Sequence, residues 1–198
     1  MELSSLLVIM MSAALVNNYV LSQFLGICPF LGASKDLKSA VGMSLCVTFV
    51  MLLATAATWP IYMLLLAPNG LGYLRTVVFI LIIASLVQFV EITLKKHVPT
   101  LYTALGVYLP LMATNCAIFG VTIVNINRDH SFAGSMVNAL GAGLGFILAM
   151  VVFAGIREHT EHADPPACMK GIPITLFSVA ILSLAFYGFN GVIENLFG

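Results

Sequence analysis

The stretch FLGICPFLG, residues 24–32, decides how the chain is read, because it sets a cysteine, a proline and two glycines inside an uncharged run. From Leu6 to Phe30 no Asp, Glu, Lys or Arg occurs. A hydrocarbon core about 30 Å thick is crossed by roughly 20 helical residues, so this run is long enough to span a bilayer. Proline withholds an amide donor and clashes with the preceding turn, and glycine leaves helical geometry at little cost. Freed backbone groups in lipid have no water to meet them. Breaks of this kind therefore persist only where they are buried in protein or line a site.

The pattern recurs at residues 115–120, NCAIFG. CPFLG at 28–32 and CAIFG at 116–120 both fit Cys-x-x-x-Gly with apolar residues between. Asn17 and Asn18 precede the first cysteine, and Asn115 adjoins the second. Gly26, Pro29 and Gly32 interrupt the first run; Pro110, Asn115 and Gly120 punctuate the second.

Composition agrees with a membrane setting throughout. Of 198 residues, 61% are apolar and 8% charged, and the mean hydropathy is +1.07, far from the balance of a soluble domain. Eight basic and eight acidic residues cancel, so no basic excess points to nucleic acid. The gaps between charges predict an all-α integral membrane protein with six spans, near Leu6–Phe30, Val41–Leu66, Leu74–Thr93, Leu101–Val124, Phe132–Ile156 and Ile172–Ile193. The first is expected to be a span and not a cleaved leader, since no Lys or Arg precedes it. Loops one, three and five carry Lys35, Lys38, Lys95, Lys96, Arg157 and Lys170, against Arg75 and Arg128 in the even loops. That bias puts the odd loops in the cytoplasm and both termini outside.

Short loops argue for one membrane domain over residues 1–198. It divides into halves of about 1–97 and 98–198, three spans each, whose leading spans carry the matching cysteine motifs. With three spans per half, the halves run in opposite directions: an inverted repeat, with helices 1 and 4 broken at mid-membrane around a site between them. Small residues also serve close helix packing. GAGLG, residues 141–145, with Gly134 upstream, reads most simply as a packing face.

The four cysteines fall into two classes. Cys46, in MSLCVTFV, reads as a small core hydrophobe, and Cys168, in PPACMK, as a loop thiol. His159 and His162 lie in the same loop, but their spacing closes no zinc set. Cys28 and Cys116 stand at equivalent places on the broken spans. Thiolates suit iron and copper and form the usual ligands of iron–sulfur clusters, which need four. Two from this chain would require two more from a partner, most simply a related chain across a pseudo-two-fold axis. A disulfide between the pair is the competing reading. Backbone amides freed at the breaks, and Asn115, are placed to hydrogen-bond sulfur. Gln88 and Glu91 in the third span are candidates for an ion route, although Glu91 precedes Lys95 by four residues, a spacing that suits an interfacial ion pair. Hydrolytic sets, phosphate loops and paired catalytic carboxylates are absent from the sequence.

Three stretches carry a family likeness: VNNYVLSQFLGICPFLGASK, VQFVEITLKKHVPTLYTALGVYLPLMATNCAIFGV, and FAGIRE followed by ADPP. They resemble the A-type membrane subunits of Rnf complexes, the ferredoxin–NAD oxidoreductases that move sodium ions or protons. Those subunits are similar in turn to the E-type subunits of sodium-translocating NADH:quinone reductases; CPF and VNINRDHSF resemble the Rnf members more. The resemblance implies a six-span subunit of a multi-subunit translocase, not catalytic alone, in the cytoplasmic membrane of a bacterium or archaeon. It also implies a homologous partner subunit of opposite topology and one [2Fe–2S] cluster between the two, with Cys28 and Cys116 as this chain's ligands. Such a cluster would relay electrons between ferredoxin and NAD, and a cation drawn toward the added charge would provide coupling. A small secondary transporter, with incidental cysteines, or a subunit of a sodium-translocating NADH:quinone reductase is the alternative.

Overall fold

The computed structural model describes residues 2–34, 37–70, 72–97, 115–161 and 171–188, and no strand occurs among them. The chain opens with α1 (Glu2–Met11), which runs into a π-helical turn at Ser12–Val16 and then leaves helical geometry. Helix α2 (Ile27–Ala33) resumes, followed by α3 (Leu37–Ile61) with a second π-helical turn at Tyr62–Leu66. A 3-10 turn at Gly72–Leu74 leads into α4 (Arg75–His97). Then come α5 (Cys116–Asn127), α6 (Phe132–Glu161) and α7 (Ile172–Tyr187).

Among the described residues, three helical stretches, Leu37–Leu66, Gly72–Thr93 and Phe132–Thr160, are long and apolar enough to cross a membrane. Leu6–Leu15, Cys116–Asn127 and Ile172–Tyr187 are apolar but shorter. At about 1.5 Å per residue, the 12 residues of α5 rise only about 18 Å, a little over half of a hydrocarbon core.

Where the first run breaks differs from the expectation in register. The interruption covers residues 17–26, upstream of Pro29 and Gly32, and both of those lie inside α2. Pro29 occupies the first turn of α2, where amides have no intrahelical acceptor and the missing N–H costs nothing. Gly120 likewise lies within α5 and does not interrupt it. A helical glycine there admits a neighbour, since a Cβ on Gly120 would stand 2.6 Å from Leu25 Cδ1. Residues 98–114, with Pro110, lie outside the described residues.

The core forms where α3 and α6 pack along their lengths. Met43, Val47, Val50, Met51 and Ala54 of α3 bury against Phe146, Ala149, Met150 and Phe153 of α6. The GAGLG face lets backbones meet: a Cβ on Gly141 would lie 2.7 Å from the Met10 carbonyl oxygen, and one on Gly145 the same distance from that of Ala14. The two ends of the bundle are tied differently. At one, Trp59 Nε1 donates to the His130 carbonyl (3.0 Å) and Arg75 to Asn127 Oδ1 (2.8 Å), joining the end of α3 and the start of α4 to the α5–α6 turn. At the other, the Arg157 guanidinium reaches the C-terminal end of α2.

Candidate functional site

The interruption at 17–26 is built around Asn18, whose side chain is 1% exposed. Its Oδ1 accepts from the amides of Val20 (3.1 Å) and Leu21 (3.4 Å), and its Nδ2 donates to the carbonyls of Ala14 (3.3 Å) and Gly145 (2.8 Å). One amide side chain therefore replaces the helical bonds lost at the break and pins it to α6. Leu25 N donates to the Tyr19 carbonyl at 2.9 Å, which closes the loop. Phe24 sits in the left-handed region with φ 56° and is exposed, a conformation that a bulky residue holds only where its surroundings impose it.

The loop ends at Gly26, φ 87°, which caps α2. A Cβ at Gly26 would lie 3.1 Å from Ala117 Cβ, 3.1 Å from Asn115 Oδ1 and 3.3 Å from Phe146 Cε2. Asn115 is itself the cap of α5, its Oδ1 accepting from Ala117 N at 3.0 Å. The starts of the two half-helices thus meet cap to cap, and their cysteines follow directly: Cys28 is the second residue of α2, Cys116 the first of α5. Both are exposed.

Beside them lies a buried donor without a partner. Asn115 is 3% exposed, its Oδ1 is committed to the cap, and its Nδ2 has no hydrogen bond. Leaving such a donor unmet costs about 1–3 kcal/mol, so an acceptor is called for at this point. Two thiols on abutting helix starts and this donor fit half of a thiolate-bound cluster. Among the described residues no group of three or more His, Cys, Asp or Glu forms a metal set by itself.

The remaining sequence candidates lie apart. Cys46 packs partly buried against the core on α3. Glu91 is half-buried and Gln88 exposed, both on α4. His162 and Cys168 lie outside the described residues. Sequence reasoning missed a polar chain through the bundle: Asn138 Nδ2 donates to Asn125 Oδ1 (2.7 Å) and to the Tyr19 hydroxyl (3.3 Å), and Asn125 Nδ2 to the Ser135 carbonyl (3.3 Å). These side chains are 0–3% exposed. Their only sequence signal was asparagine recurring inside apolar runs.

An all-helical membrane protein whose interrupted first run carries one thiol to the start of a second half-helix has a defined class. Residues 6–193 match the model of the Rnf-Nqr subunit family of membrane proteins, and the chain belongs to that family. It is 54% identical over 188 residues to the A-type component of the Na(+)-translocating ferredoxin:NAD(+) oxidoreductase complex of Acetobacterium woodii, covering 95% of this chain and 98% of that one. It is 48% identical over 193 residues to the A-type component of the ion-translocating oxidoreductase complex of Syntrophotalea carbinolica, covering 98% and 100%. The corresponding protein of Edwardsiella ictaluri is 48% identical over 188 residues, 95% and 97% of the two chains.

Proposed function

We propose that this chain is a membrane subunit of an ion-translocating ferredoxin:NAD oxidoreductase complex and provides two of the four thiolates of an intramembrane [2Fe–2S] cluster. The observation that carries the reading is the cap-to-cap meeting of Gly26 and Asn115, which puts exposed Cys28 and exposed Cys116 at the starts of two touching half-helices. A homologous membrane subunit of opposite topology supplies the other two ligands. The architecture proposed is six spans in two inverted repeats, about 1–97 and 98–198. The tied ends support it: the end of α2 and the end of α6 share one pole of the bundle, while the α5–α6 turn and the start of α4 share the other.

When bound, the cluster supplies one-electron transfer between cofactors held by other subunits. The chain's own residues fix where this occurs. Asn18 satisfies the broken backbone, Gly26 allows the close approach, and Asn115 holds the first turn of α5 while offering Nδ2 to sulfur. Coupling to Na+ or H+ follows if charge added between the half-helices changes which side they open to.

The test is Cys28→Ser and, separately, Cys116→Ser in the purified complex, with iron, acid-labile sulfide and EPR of the reduced sample, all subunits retained. Loss of about two irons and one signal in each variant is the expected result. Unchanged iron and signals would transfer the chain to the transporter reading.

A further inference from the structure

We propose that Arg157 is a positioning residue for Cys28: it holds the half-helix that carries the thiol to the long helix α6. This rests on the function proposed above, in which Cys28 is a ligand. Helix α2 has seven residues, too few to hold its own shape or place by hydrogen bonds within it. Its start is fixed by Gly26 against Asn115, Ala117 and Phe146. Its end is fixed by Arg157, whose Nη1 donates to the Leu31 carbonyl and to Ser34 Oγ, both at 2.8 Å.

The Leu31 carbonyl is one of those that a helix end leaves without an intrahelical donor. A cation there also offsets the negative end of the helix. Ser34 is fully buried, so the second bond is shielded from water. Leu31 lies three residues from Cys28, one turn along the same face, and any shift of its carbonyl is passed to the thiol. Asn18 is meanwhile bonded to Gly145. One 30-residue helix therefore grips the broken run within the break and after it.

The other half-helix offers an internal comparison. Arg75 meets Asn127 at the end of α5 through an exposed bond between side chains, eleven residues beyond Cys116. An exposed contact so far from the thiol contributes little.

The experiment uses the whole purified complex carrying Arg157→Ala, Arg157→Lys, Ser34→Ala or Arg75→Ala, with assembly of all subunits checked first. Iron release to a chelator and the EPR spectrum of the reduced complex are then read. Loss of a supporting contact around a metal ligand is typically worth tenfold or more, so Arg157→Ala should release iron about tenfold faster and shift the spectrum. Arg157→Lys, which keeps charge and donors, should restore most of both. Ser34→Ala, which removes one of two acceptors, should fall between, and Arg75→Ala should match wild type. If Arg157→Ala does not assemble, Ser34→Ala decides, and wild-type release and spectrum in assembled Ser34→Ala overturn the proposal. So does a wild-type result in assembled Arg157→Ala. A signal that survives Cys28→Ser overturns instead the function on which it rests.

Discussion

Asn115 does two things with one amide group, and they can be separated. Its oxygen caps α5 through Ala117 N, while its nitrogen is buried without a partner. Asn115→Asp keeps the cap and exchanges the amide donor for a carboxylate oxygen, whose negative charge acts on the potential in the same direction as loss of the donor; Asn115→Ala removes donor and cap without adding charge, with about 1 kcal/mol for the lost cap. If Nδ2 serves a thiolate sulfur, either change lowers the midpoint potential of the EPR-active centre, by the equivalent of about 1 kcal/mol for the donor. An unchanged potential in Asn115→Ala would mean that the nitrogen meets something else. Gly26 carries the opposite demand, for absence of a side chain. With φ at 87° and neighbours at 3.1 Å from any Cβ, Gly26→Ala costs about 1–2 kcal/mol from the backbone alone. It should also spread the two half-helix starts, so thermal stability and the EPR line shape of the complex change together. Cys28 and Cys116 stand out in the sequence because breakers in lipid draw attention to their neighbours. Arg157 was not. It entered only as one charge in a loop, and its partner Leu31 lies 126 positions away, beyond any local pattern.

Helix α6 is the element on which the others are arranged. Its glycines admit α1 and the Ser12–Val16 turn, and its Asn138 links Tyr19 to Asn125. Asn138→Leu leaves the Asn125 oxygen without its donor in a dry interior, a loss of about 1–3 kcal/mol, visible as a lower unfolding temperature of the complex. A stability equal to wild type would mean that water replaces the amide. At the end of α5, His130 lies in the turn before α6, with burial first and the Arg128 charge second both lowering its pKa below 6.5. The neutral ring is thus the folded form, and below pH 6.5 the unfolded chain binds the proton more readily. Stability is therefore complete above pH 6.5 and declines as pH falls through the folded-state value. Melting curves between pH 7.5 and 5 should show this decline, and His130→Gln should flatten it. The long helices were legible as charge-free gaps: the start of α6 at Phe132 agrees, α3 begins at Leu37 and not Val41, and α4 and α6 run on to His97 and Glu161, past the expected Thr93 and Ile156. The break was legible in kind but misplaced by several residues. Proline and glycine announce an interruption, yet Asn18, able to replace four backbone partners, decides where the chain can leave the helix.

For the whole molecule, orientation is the consequence with the widest reach. The charge bias predicts the odd loops in the cytoplasm, and the fold groups the same segments independently: Leu31 and Ser34 join Arg157 at one pole, while Trp59 and Arg75 join His130 and Asn127 at the other. Contacts that tie loop one to loop five and loop two to loop four are what an even number of crossings between the tied loops demands. The grouping would hold for either orientation; only the charge bias selects one. Lys38 and Ser131 are both exposed and sit at opposite poles, so single substitutions there read the outcome directly. In intact cells, a membrane-impermeant maleimide should label Ser131→Cys above the background of the parent chain and leave Lys38→Cys unlabelled until the membrane is permeabilised. The reverse pattern would invert the orientation while sparing the two poles. Labelling of both from outside would place the poles on one side of the membrane, and the inverted repeat would fall with them.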